Sequence, residues 1–264
     1  MELVYAGPVY EQIVAFWLGC CLGSFYNVII YRLPLNQSLV YPGSRCPGCG
    51  NEIRWYDNIP IFSYLLLGGK CRNCKASISV RYPIVEALTG LIALMLYRRY
   101  GLHPQFGIEF VFFSLLLIIA FIDLDTQIIP NVLSLSGIVL GVFFSFFTPR
   151  LTWVDSLLGA FLGGGLLYLI AVGYAFIRKQ EGMGGGDIKL LGMIGAFLGW
   201  PGVVFTVLAS SVSGMIIALP FMLKKGVGLG ARIPYGPFLA LGAVVYLFWG
   251  QLFYNWYFNE LLGM

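Results

Sequence analysis

Two aspartates carry the sharpest chemical signal in this 264-residue chain. Asp123 ends an apolar run in Phe121-Ile122-Asp123-Leu124-Asp125, and Asp187 closes a glycine run, Gly182-Met183-Gly184-Gly185-Gly186-Asp187, set between two long apolar segments. Ionisable groups at the edge of hydrocarbon are costly, so they are read as a functional site with a partner. Taken as each other's partners, the two carboxylates can activate water. One accepts a proton from it, while the other, kept protonated because like charges resist double ionisation, polarises a peptide carbonyl and helps the amine leave. A transporter that carries protons or binds a cation could use the same pair. Asp123 and Asp125 point about 200° apart on a helix, so they cannot serve one site equally; Asp125 lies nearer the loop, where solvation alone accounts for it.

The second constellation is cysteine. Cys46-Pro47-Gly48-Cys49 and Cys71-Arg72-Asn73-Cys74 are separated by 21 residues. Two CxxC pairs at this separation predict one tetrahedral zinc, each pair supplying two thiolates from a tight turn, with a short hairpin expected between them. A disulfide or redox pair is the alternative, disfavoured if the loop faces a reducing cytoplasm. Four thiolates close the coordination sphere, so the metal is read as structural. His103 is the only histidine, and its loop lies on the face opposite the carboxylates. A Ser/His protease needs an imidazole beside a serine and HExxH metallopeptidases need two histidines, so both are excluded. The glycine run is no nucleotide loop, because no strand precedes it. It is either a flexible linker or a place where a peptide backbone can approach Asp187 closely.

The elements that must position these residues are membrane helices. The chain is 59% hydrophobic and 11% charged, with mean hydropathy +0.83, which excludes an ordinary soluble domain. The 34-residue run from Leu190 to Leu223 would make a helix of roughly 50 Å, too long for one span, and Trp200-Pro201-Gly202 divides it. The expectation is an all-α polytopic helix bundle of eight spans: 9–31, 83–98, 106–123, 131–148, 154–177, 188–200, 202–223 and 234–258. The part outside the bilayer is a small zinc-knuckle-like loop, giving three regions: 1–32, 33–82 and 83–264. If that loop is cytoplasmic, strict alternation leaves only Arg98, Arg99 and Arg150 of the 16 basic residues outside, as the positive-inside rule asks. Asp123 and Asp187 then fall at the cytoplasmic face. The net charge of +4 fits a basic rim facing anionic lipid and does not imply nucleic-acid binding. Glu2 stands where a signal peptide has a basic region, so the first apolar run is expected to be a retained span.

Other residues hold narrower expectations. Gly23 and Ser24 suit close helix contact, Asn27 needs a partner, and Cys20 and Cys21 read as small apolar residues. Glu86 follows Pro83 in what is expected to be the first turn of a helix, where it can cap, pair or catalyse. The aromatics around Trp55, Tyr56 and Tyr64 suit either the membrane interface or a binding wall. Pro234-Tyr235-Gly236-Pro237 is an unusual, rigid entry to the last span; what it positions is not readable from the sequence.

The motifs GSFYNVIIYRLP, CPGCGNEIRWYDNIPIFSYL, GKCRNCKASISVRYPIVE, FIDLDTQIIPN, EGMGGGDIKLLGMIGAFLGW and IPYGPFLALGA together cover nearly the whole chain. It resembles the type IV prepilin peptidases, within the GxGD aspartic intramembrane proteases. The resemblance implies Asp123, not Asp125, as the first catalytic aspartate and Asp187 as the second. It implies an inner-membrane enzyme that cuts prepilins or pseudopilins on the cytoplasmic side, after the glycine ending a basic leader. Members with both CxxC pairs usually also methylate the new N-terminal residue with S-adenosylmethionine, and Cys46, Cys49, Cys71 and Cys74 keep that pattern. No methyl-donor pocket is visible in the sequence itself.

Overall fold

A computed structural model of the chain describes residues 7–179, 184–225 and 234–255. Its helices are α1 (Val9–Arg32), α2 (Phe62–Leu66), α3 (Arg81–Tyr100), α4 (Pro104–Thr126), α5 (Asn131–Ser145), α6 (Trp153–Arg178), α7 (Gly185–Lys225) and α8 (Gly236–Asn255). Among the described residues, β pairing is confined to two isolated bridges, Arg45 with Glu52 and Lys70 with Ser77. Helices are what hydrocarbon demands of a backbone with no water to bond. Val9–Arg32, Pro104–Thr126, Trp153–Ile177 and Gly185–Ile217 are long and apolar enough to cross a bilayer, and Asn131–Ser145 and Gly236–Gly250 are shorter apolar helices. The protein is a multi-pass membrane protein. Glu2, Gly182, Met183 and the basic loop from 226 to 232 lie outside the described residues.

Each of the eight expected spans contains a helix, with 188–200 and 202–223 joined as α7; the helix in 131–148 ends at Ser145 and that in 234–258 begins at Gly236. The break is at Gly199 (φ 70°, ψ −179°), just before the Trp200-Pro201-Gly202 stretch expected to carry it. Only glycine enters that backbone region readily, and a Cβ there would stand 2.8 Å from Leu151 Cδ1. Pro201 then opens a new helical stretch, where its missing N–H is tolerated. Gly199→Ala is expected to cost about 1–3 kcal/mol, read as a lower thermal midpoint in detergent.

The chain forms two compact units, one running to Ile118 and the other from Ile119 onward. In the first, α1 and α3 pack through small residues. A Cβ on Gly19 would lie 2.7 Å from Ala93 Cβ, one on Gly23 2.8 Å from Glu86 Cα, and one on Gly90 2.5 Å from Cys20 Sγ. Cys20 is accordingly a buried packing residue, while Cys21 is exposed. The loop after α1 returns to it where Phe62 stacks on Trp17, with centroids 5.2 Å apart.

In the second unit α7 packs against α5, α6 and α8. Leu190, Leu191, Met193, Ile194 and Ala196 are wholly buried. Of the apolar windows, 61% of that in α7 is buried against 11% of that in α6, so α6 leaves most of its apolar surface uncovered by the described residues. A Cβ on Gly159 would meet the Gly195 carbonyl at 2.2 Å, and one on Gly163 the Leu191 carbonyl at 2.4 Å. The α6 and α7 backbones therefore touch, as small-residue stripes allow in membranes. Ser156 adds a buried hydrogen bond to the Ala196 carbonyl at 2.6 Å.

Candidate functional site

Asp123 lies three residues before the end of α4 and is 4% exposed, while Leu124 and Asp125 face outward. The expected divergence of Asp123 and Asp125 is thus observed. Asp187 is half-buried in the first turn of α7, and its N–H donates to the Gly184 carbonyl at 3.1 Å. The structure brings the two aspartates close enough for their carboxylates to interact electrostatically. Two anchors set the start of α7. Lys189 Nζ donates to Asn131 Oδ1 at 2.7 Å, and Gly186 sits where a Cβ would be 2.8 Å from Ile129 Cβ. The glycines therefore have different reasons to be there: Gly186 is a packing contact, whereas nothing stands within 4 Å of a Cβ on Gly185.

Sequence reasoning missed Gly236. Its N–H, at the first residue of α8, donates to Asp123 Oδ2 at 2.9 Å. A side chain there would put its Cβ 2.8 Å from that same oxygen. The opening amide groups of a helix have no intrahelical acceptor, and the helix dipole favours an anion beside them. Tyr235 fixes the entry, because its hydroxyl shares a hydrogen bond of 2.7 Å with Ser210 Oγ of α7. The signal available in the sequence was the pair of prolines around Tyr235-Gly236, whose target is now Asp123.

In the first unit the four cysteines converge. The Sγ atoms of Cys46, Cys49, Cys71 and Cys74 lie within 4.8 Å of one another, and Cys46 and Cys74 are 3.7 Å apart. A zinc with Zn–S of about 2.3 Å requires S···S edges of about 3.8 Å, so the donor set fits one tetrahedral ion. All four thiols are free. The two halves repeat one turn. Cys46 N–H donates to Asn51 O and Gly50 N–H to Cys46 O; likewise Cys71 N–H donates to Ala76 O and Lys75 N–H to Cys71 O. Gly50 and Lys75, the matching positions, both have positive φ.

The backbone N–H groups of Cys74 and Asn73 pull the Cys71 thiol down to about 6. Cys74 rises to about 11: the Ala76 N–H lowers it, but local desolvation and three neighbouring thiols outweigh that. A dication bound by the four thiolates would displace the thiol protons that remain, so its binding would depend on pH. The expected connecting hairpin is not what joins the turns. A 3₁₀ turn at Trp55–Asn58 and α2 do so, because Pro60 has no N–H for a ladder. Arg72 forks onto Asp57, with Nη2–Oδ1 2.6 Å, holding that carboxyl below its usual range. Arg54 and Arg72 both lie over the Tyr56 ring, while Trp55 is exposed.

Glu86 departs from expectation. It lies past the first turn of α3 and neither caps it nor forms an ion pair among the described residues. Its buried carboxylate accepts the Ile61 N–H at 2.7 Å, and Ser24 lies beside it. Asn27, 1% exposed, donates through Nδ2 to the carbonyls of Gly23 and Tyr82. His103 is exposed, its ring nitrogen accepting the Gln105 N–H at the start of α4.

Known proteins show the family of the chain. The profile of the bacterial Peptidase A24 N-terminal domain matches residues 17–100, and that of the Type IV leader peptidase family matches residues 110–219. A Myxococcus xanthus protein named prepilin leader peptidase/N-methyltransferase is 40% identical over 84% of this chain and 66% of its own length. Proteins of the same name from Pseudomonas aeruginosa and Aeromonas salmonicida are 35% and 32% identical, covering 95% and 99% of this chain and 94% and 99% of theirs. No solved structure matches the chain. At these identities, over nearly the full length of two relatives, the chain belongs to the Type IV leader peptidase family.

Proposed function

We propose that this chain is a prepilin leader peptidase with N-methyltransferase activity, and that Asp123 and Asp187 are its peptidase residues. The observation that carries the reading is the Gly236 N–H that fixes the Asp123 carboxylate, within electrostatic reach of Asp187. Such a pair works when one carboxylate takes a proton from water and the other, as the acid, polarises the scissile carbonyl and then protonates the leaving amine. Gly236 fixes the Asp123 carboxylate, while Asn131 and Ile129 fix the start of α7 and with it Asp187. The substrate is a prepilin or pseudopilin whose basic leader lies in the cytoplasm and whose apolar helix lies in the inner membrane. Its scissile bond is then at the cytoplasmic interface, where the distribution of basic residues puts both aspartates. The relatives are named as enzymes, and the transport reading of the paired aspartates is set aside on that ground.

Cys46, Cys49, Cys71 and Cys74 would hold one structural zinc, locking two knuckle turns that have little apolar core of their own. Functionally, 33–82 is the zinc-bearing part and 83–264 carries the peptidase residues. Metal analysis of the purified protein is expected to give one zinc per chain. Cys71→Ser with Cys74→Ser should lose it and make the loop readily cut by added protease. S-adenosylmethionine, when bound, supplies the methyl group for the second activity. The test of the whole reading is a full-length prepilin incubated with the protein and that donor, the product being weighed by mass spectrometry. Loss of the leader plus one methyl mass is expected. An uncut substrate across several prepilins would overturn the reading.

A further inference from the structure

The first unit holds a buried polar cluster that the peptidase chemistry does not use. Ser24 and Asn27 lie three residues apart on one face of α1, and across from them on α3 lie Tyr82 and Glu86, one turn apart. Counting hydrogen bonds shows what the cluster lacks. Asn27 spends its amide protons on the carbonyls of Gly23 and Tyr82, and its Oδ1 is buried with no partner among the described residues. Ser24 lies beside Glu86. Glu86 is 7% exposed, and the hydrogen bond to its carboxylate among the described residues comes from a neutral group, the Ile61 N–H. What remains unused is therefore acceptors, on the Asn27 amide and the Glu86 carboxylate, with the Ser24 hydroxyl next to them.

A buried carboxylate without a cation and a buried carbonyl oxygen without a donor are both costly. A group with several donors, one positive charge and no acceptor answers both, and a primary ammonium is such a group. A metal ion fits less well, because the only group of three or more metal-binding side chains among the described residues is the cysteine cluster. The loop side adds a second feature. Ile61 sits at φ 61° and ψ −51°, and the Phe62 N–H donates across it to the Pro60 carbonyl at 2.6 Å. This is a γ-turn with positive φ at a β-branched residue, a strained arrangement, and its N–H is tied to Glu86. A ligand that replaces that N–H on the carboxylate also releases the strained turn.

We propose that Ser24, Asn27 and Glu86 form a binding site for an α-ammonium group, serving the methyl-transfer half of the function above and resting on that reading. Two molecules in that reaction bear such a group: the methyl donor, at its amino-acid end, and the trimmed substrate, at its new N-terminus. In both cases the amine meets Glu86 and Asn27 Oδ1, and the Ile61 turn opens to admit it.

The test uses the full chain in detergent, with Glu86→Gln, which still accepts the Ile61 N–H but has no charge, and Asn27→Ala. Three quantities are read: leader cleavage, binding of radiolabelled S-adenosylmethionine by equilibrium dialysis, and binding of a leader-free pilin peptide with a free or an acetylated N-terminus. Both variants are expected to cleave at the wild-type rate and to methylate about 10- to 100-fold more slowly, the factor for losing one hydrogen bond to a charged group. If donor affinity falls by that factor, the ammonium is the donor's. If it is unchanged while the free-amine peptide weakens to the level of the acetylated one, the ammonium is the substrate's. Wild-type binding of both ligands by both variants overturns the proposal. So does a parallel fall of cleavage and methylation with a lowered melting temperature, which would make Glu86 only a strut for the loop. A wild-type protein that cuts without methylating would instead overturn the methyl-transfer reading, and the two binding measurements would still decide the site.

Discussion

Asp187→Asn should lower leader cleavage by about 10²–10⁴-fold, and Asp123→Asn should do the same, with helix content and membrane insertion unchanged. Asparagine matches the shape of aspartate but neither takes a proton from water nor lends one to a leaving amine. The two losses are not expected to add: once one carboxyl is gone the other has nothing to act with, so the double variant should be about as slow as either single one. Asp125→Asn is the internal control. Asp125 is two residues from Asp123 but exposed at the end of α4, so its replacement should change the rate by no more than about 2-fold. Cleavage at the normal rate by either single variant would remove the aspartic mechanism. A third outcome, loss in Asp125→Asn with normal rates elsewhere, would move the site by half a turn of helix.

Gly236→Ala is expected to slow cleavage by about 10²-fold while leaving substrate affinity nearly unchanged. The added methyl would stand 2.8 Å from Asp123 Oδ2 and 3.2 Å from Asp123 Cγ, closer than these atoms normally come, so carboxylate and helix must part. Displacing a reacting group by about 1 Å is enough for a loss of that size. The effect should fall on kcat, because Gly236 orients the acid–base group and has no predicted contact with the leader. A matched substitution at Gly185, where nothing stands within 4 Å of the added carbon, should be much milder. Equal effects at the two glycines would argue against a positioning role for Gly236.

What the sequence revealed and what it hid divide along physical lines. Hydropathy located the helices, because length and apolar content are local properties, and the cysteine spacing located the knuckles for the same reason. Asp123 and Asp187 stood out as candidates because charge at the edge of hydrocarbon is rare. The Gly236 bond was not, since it joins residues 113 positions apart through a backbone N–H that every non-proline residue possesses. Glu86 misled in the same way: counting residues from Pro83 suggested a helix end, while its actual partner is an amide of the distant loop. The break in α7 was expected in Trp200-Pro201-Gly202, but glycine takes it one residue earlier, at Gly199, because only glycine enters that backbone region readily. The hairpin expected between the CxxC pairs failed where a proline removed a ladder donor.

The break at Gly199 has a consequence for the lipid around the protein. The stretch from Gly185 to Gly199 contains 15 residues, as does the neighbouring α5, and a helix of that length spans about 22 Å, well short of a hydrocarbon layer of about 30 Å. The Gly185–Gly199 stretch is enclosed by its neighbours, so it is lipid beside the exposed face of α5 (Val132, Leu135, Val139, Phe143) that must compress to meet so short a helix, or lose contact with its polar ends. Headgroups and water would then be drawn down beside Asn131, which is joined to Lys189 in the first turn of α7. On the proposed reading, a peptidase with Asp187 in that turn would receive its water from a dimple in the bilayer surface, with no channel through the protein required.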